Sequence, residues 1–89
     1  MIDSEVMIVN RLGLHARAAA KFVHLASRFS ARVTVAKDGT RVDGKSILGL
    51  LTLAAAKGTK LHVTTAGDDE QQAADALAEL VRSRFGEIE

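Results

Sequence analysis

Gly13-Leu14-His15-Ala16-Arg17 runs straight into Ala18-Ala19-Ala20, so an imidazole and a guanidinium stand two residues apart at the mouth of an alanine-rich stretch. That arrangement suits anion chemistry. The first N–H groups of a helix have no intrahelical acceptor and point at any anion placed on the axis. Here those donors are the backbone groups of Ala16, Arg17 and Ala18, and Arg17 adds a permanent charge with planar donor geometry. Gly13 gives the backbone the freedom to project His15 at the helix end. Positive potential there disfavours the imidazolium and favours the neutral, nucleophilic ring. Attack on a phosphoryl donor would leave a dianionic group on the ring, held by the N–H groups and Arg17, with no metal and no cofactor required. The plainer alternative is that His15 only caps a helix and Arg17 is a solvated cation.

Other residues offer less. Gly39-Thr40-Arg41-Val42-Asp43-Gly44-Lys45-Ser46 fits the phosphate-loop pattern of nucleotide hydrolases, which needs a strand before the first glycine and a helix after the lysine. Lys37-Asp38-Gly39-Thr40 reads instead as a hairpin turn with Arg41 to Asp43 as a returning strand, which argues against that loop. Ser46 is a good N-cap. His24 and His62 are expected on the surface, and three scattered histidines without cysteine lack the spacing of a metal site.

The elements that must hold His15 follow from periodicity. Glu5 to Val9 predicts a first strand and Asn10 to Leu14 a loop. Ala19, Phe22, Val23, Ala26 and Phe29 recur at helical spacing, predicting a helix over 16–29. Ser30 to Ala36 alternates, with Val33 and Val35 on one face. Ile47 to Ala56 predicts a second helix stopping at Lys57-Gly58, and Lys60 to Ala66 alternates again, with Leu61, Val63 and Thr65 inward. The third helix starts at Asp68-Asp69-Glu70, ends near Arg82 and Arg84 ahead of Gly86, and buries Ala73, Leu77, Leu80 and Val81. The order β-α-β-β-α-β-α predicts an α+β open-faced sandwich, three helices on one face of a four-stranded, mostly antiparallel sheet.

Eighty-nine residues make a single domain over 1–89. The absence of cysteine suits a reducing compartment. Residues 1–10 do not read as a signal peptide and no apolar run reaches spanning length, so a cytoplasmic address and no membrane association are expected. The net charge of +1 hides a split: ten Lys and Arg against four Asp and Glu over residues 1–66, two against seven over 67–89. The basic part favours an anionic ligand or an acidic protein. With no Trp or Tyr and no dense basic block, nucleic acid is not expected. Ile47, Leu48, Leu50, Leu51 and Leu53 are too many large apolar residues for one buried face. Leu50 and Leu53 are the expected core pair. Ile47, Leu48 and Leu51, with Lys21 nearby, would then form a docking surface.

Asn10-Arg11-Leu12-Gly13-Leu14-His15-Ala16-Arg17-Ala18-Ala19 and Gly44-Lys45-Ser46-Ile47-Leu48-Gly49, at this spacing in a chain of this length, closely resemble the HPr family, the histidine phosphocarriers of the phosphoenolpyruvate-dependent phosphotransferase system. The resemblance spans essentially the whole chain. It implies that His15 accepts a phosphoryl group on Nδ1 from phosphorylated enzyme I and passes it to a histidine of an enzyme IIA domain, with Arg17 assisting. It implies a carrier without turnover of its own, acting as a monomer. In many members an HPr kinase/phosphorylase modifies the serine that Ser46 matches. A phosphate there adds roughly −1.5 to −2 charge at a helix N-terminus, with little expected effect on the fold. One departure is Ala18, where the family most often has proline; alanine keeps a helix former there and restores an N–H.

Overall fold

The computed structural model describes residues 1–89 and orders the elements as β1 (Ile2–Met7), α1 (Ala16–Ala26), β2 (Arg32–Lys37), β3 (Thr40–Asp43), α2 (Ile47–Thr52), β4 (Lys60–Ala66) and α3 (Glu70–Arg82), followed by a short left-handed turn over Arg84–Gly86. The sheet order is β1-β4-β2-β3, and every pair is antiparallel. Register aligns the inward residues across the sheet, with Val6 opposite Leu61 and Val63 opposite Val35. Because side chains alternate along a strand, this face is continuous and apolar while Arg32, Arg41, Lys60 and His62 look outward.

The helices cover only the apolar face. Phe22 of α1, Leu50 of α2, Leu77 and Val81 of α3, and Phe85 beyond it close over Val33, Val35, Leu61 and Val63, all in one core. Complete burial of a ring such as Phe22 or Phe85 stabilises the fold by about 1.5–3 kcal/mol. The α+β open-faced sandwich expected from periodicity is therefore the observed architecture. Leu50 and Leu53 are buried as expected, while Ile47 and Leu48 are exposed and Leu51 half-buried.

Several element ends differ from the sequence reading, each for a tertiary reason. The first strand runs Ile2–Met7, not Glu5 to Val9, because pairing with β4 extends back to Ile2 opposite Thr65. Helix α1 stops at Ala26, short of Phe29. Just beyond, the Asp69 carboxylate of the distant α3 accepts from Ser30 N at 2.9 Å and Ala31 N at 2.8 Å, drawing the chain toward β2. Helix α2 stops at Thr52, well before Ala56. Ala54 turns left-handed (φ 49°), Lys37 Nζ takes the Leu53 carbonyl at 2.9 Å, and the Ala55 carbonyl accepts from Leu14 N at 2.9 Å. The chain thus leaves the helix to support the loop that carries His15.

Candidate functional site

His15 is the N-cap of α1, in extended backbone (φ −82°, ψ 179°), and its side chain makes no capping hydrogen bond. The ring is instead available at the helix end, and Ala19 N reaches back to the His15 carbonyl at 2.8 Å to start the helical ladder. That leaves the N–H groups of Ala16, Arg17 and Ala18 ahead of the first bonded turn. Ala16 and Arg17 are exposed, whereas Ala18 is buried in the core, so an anion approaching from solvent meets the first two donors.

Gly13 sets the approach. Its φ of +71° belongs to the left-handed region, and a Cβ there would stand 2.6 Å from the Ala55 carbonyl oxygen. Only glycine fits both constraints. The Gly13 carbonyl accepts from His15 N at 3.0 Å and from Asn10 Nδ2 at 2.8 Å, so loop and histidine are held as one unit.

The sequence reading missed the residue that touches the ring. His15 Nε2 is bonded to the Glu87 carboxylate, and the other Glu87 oxygen accepts from Asn10 Nδ2 at 2.9 Å. Nδ1 of His15 makes no hydrogen bond to the protein. Burial pushes the Glu87 carboxyl up, but the bonds from His15 and Asn10 and the nearby positive charge of Lys21 outweigh it and hold it below the ordinary glutamate value. Asn10 is wholly buried, and its Oδ1 is the one buried side-chain atom without a partner. Leaving such an acceptor unsatisfied costs about 1–3 kcal/mol. The orientation is nonetheless dictated: a carbonyl and a carboxylate can only accept, so the amide must turn its NH2 toward both.

Glu87 reaches the ring by an unusual backbone path. Arg84, Phe85 and Gly86 have φ of 60°, 55° and 78°, a left-handed turn that costs roughly 1–2 kcal/mol for each non-glycine residue. Burial of Phe85 and a bond from Lys21 Nζ to its carbonyl at 2.7 Å hold that turn. An open cleft results, lined by His15, Ala16, Arg17, Lys21, Glu87 and Glu89 among others. At its edge Arg11 pairs with Glu89 at 2.7 Å, both side chains largely exposed, so the pair contributes little.

The remaining predicted residues lie elsewhere. Ser46 caps α2, its Oγ accepting from Gly49 N at 3.0 Å, and with Ile47, Leu48 and Leu51 it stands outside the cleft lining. Lys45 donates to the Phe29 carbonyl at 2.8 Å, and Thr40–Asp43 is strand, so the phosphate-loop reading has no structural basis. His24 and His62 are exposed as expected. No helix is long and apolar enough to cross a membrane.

A histidine at a helix N-terminus, on a four-stranded antiparallel sheet covered by helices on one face, defines a small open-faced α+β domain with an uncapped helix start beside an imidazole. The family model described as "PTS HPr component phosphorylation site" matches residues 2–83, and the chain belongs to this family, the HPr phosphocarriers of the phosphotransferase system. It is 51% identical to the phosphocarrier protein HPr of Neisseria meningitidis, over the full length of both chains. Among solved structures it resembles an HPr from Thermoanaerobacter tengcongensis with a TM-score of 0.94 and 44% identity, covering 98% of each chain. It also resembles an HPr dimer from the same organism, with a TM-score of 0.79 and 44% identity, covering 98% of this chain and 100% of that one.

Proposed function

We propose that this HPr carries the phosphoryl group on Nδ1 of His15, receiving it from phosphorylated enzyme I and delivering it to an enzyme IIA domain. The observation that carries the reading is the state of the ring: at a helix N-terminus, unspent on capping, bound at Nε2 and open at Nδ1. In the transfer, the Nδ1 lone pair forms an N–P bond as the donor's bond to phosphorus breaks and the donor leaves with its electron pair. The N–H groups of Ala16 and Arg17 and the Arg17 guanidinium face the charge that arrives. The protein then waits for its next partner and performs no turnover alone, needing no metal or cofactor. Ala18 in place of proline leaves this chemistry intact, since the exposed donors are its two predecessors.

Ile47, Leu48 and Leu51, with Lys21, form the docking surface in this reading: Leu48 is 77% exposed and Ile47 40%. Ser46 is the regulatory position, where an HPr kinase/phosphorylase would place negative charge beside that surface. In this reading the protein works in the cytoplasm as a single chain and contacts neither nucleic acid nor membrane.

Incubation with phosphoenolpyruvate and enzyme I tests the central claim. The wild type should gain an acid-labile, alkali-stable phosphoryl mass, and His15→Ala should gain none. An undiminished gain in His15→Ala would overturn it.

A further inference from the structure

Resting on the carrier reading, we propose that Glu87, held in place by the buried Asn10, is a positioning residue that keeps the His15 proton on Nε2 and so presents Nδ1 as a bare lone pair. A neutral imidazole carries one proton, and the nitrogen that keeps it is decided by what its other partner can accept. Glu87 can only accept, and it faces Nε2. Its orientation is not free either: Asn10, itself anchored to the Gly13 carbonyl at 2.8 Å, commits one carboxylate oxygen at 2.9 Å and leaves the other for the ring. The left-handed turn at Arg84, Phe85 and Gly86 gives this contact its backbone, a strained segment kept where an unstrained one would send the chain elsewhere.

The same carboxylate answers a charge problem. When Nδ1 forms its bond to phosphorus while Nε2 keeps its proton, the ring becomes formally cationic. The Glu87 carboxylate lies against that charge, and no proton has to leave or arrive during transfer. When the N–P bond breaks toward the next acceptor, the ring returns to neutral with its proton still on Nε2. Arg11, Arg17 and Lys21 around the cleft balance the negative charge that Glu87 and Glu89 bring near the phosphoryl group.

Substitution separates positioning from simple packing. In Glu87→Gln, Asn10 still demands an acceptor, so the glutamine oxygen stays with Asn10 and the glutamine NH2 turns to the ring. That group donates to Nε2 and forces the proton onto Nδ1. Glu87→Ala imposes neither tautomer. Rates of phosphorylation by enzyme I should therefore fall in the order wild type, Glu87→Ala, Glu87→Gln, with the isosteric variant roughly 10-fold or more below the alanine variant. Long-range 15N–1H spectra of the neutral imidazole should show Nε2–H in the wild type and Nδ1–H in Glu87→Gln. A glutamine variant as fast as or faster than the alanine variant, or Nδ1–H in the wild type, overturns the proposal while the carrier reading stands. A wild type that accepts no phosphoryl group from enzyme I sinks both.

Discussion

Gly13 concentrates what single residues contribute to the site. Its left-handed φ and the Ala55 carbonyl oxygen 2.6 Å from where a Cβ would lie make any side chain there doubly unfavourable. Gly13→Ala should lower stability by roughly 2 kcal/mol or more, since a backbone atom must move. Chemical denaturation measures this, and a loss below about 0.5 kcal/mol would show that the loop relaxes freely. The reason for a glycine before His15 was visible in the sequence as a need for backbone freedom. Its partner was not, because Ala55 lies far along the chain, past a helix end that periodicity placed wrongly. Glu87 was invisible for the same reason: its charge counted toward an acidic C-terminal segment, and nothing in the local pattern directs one carboxylate to a histidine 72 positions away.

At the level of elements, α1 and α2 show the same N-terminal device used differently. His15 begins α1 without a side-chain cap, leaving the first donors without a side-chain acceptor, whereas Ser46 begins α2 by accepting from Gly49 N at 3.0 Å. Ser46→Ala should cost about 1 kcal/mol of stability. Ser46→Asp should cost less, because aspartate caps equally well. Urea midpoints compare the two, and phosphorylation rates with enzyme I supply a second measurement. Ser46→Asp should slow transfer while keeping the fold, and equal rates in wild type and Ser46→Asp would count against a regulatory role. Leu48 at 77% exposure beside this cap is what such a charge would perturb. The apolar excess of α2 was readable from its composition, because five large residues exceed one buried stripe. Its early end at Thr52 was not, since the carbonyls beyond it are claimed by Lys37 and Leu14.

The whole molecule is tied together by carboxylates acting across long sequence separations. Asp69, at the start of α3, is held below the ordinary aspartate value by the Ser30 N–H first of all, with Ala31 N–H and the Ser30 hydroxyl adding to it against some desolvation. A carboxylate lowered by folding stabilises the native state fully above its unfolded value of about 4, and that contribution is lost as pH falls through the lower folded value. Acidification from pH 7 to below about 4 should therefore destabilise the wild type. Asp69→Asn should be less stable at pH 7 and show a shallower loss on acidification, as followed by urea midpoints across pH. An identical slope in both proteins would remove Asp69 from the account.

Taken by itself, the chain determined the α+β class, the element order and the inward faces of the strands, and it singled out His15 with Arg17 as the proposed place for phosphoryl chemistry. These follow from period, turn residues and local motif, which act over a few positions. Tertiary structure alone decided where α1 and α2 stop, which donors of the helix end face solvent, and which ring nitrogen of His15 is taken. Each of those depends on a group brought from far along the chain: the Asp69 carboxylate, the Ala55 carbonyl, the Asn10 amide and Glu87. Local sequence can make a histidine available, but only packing across the fold fixes the face it presents.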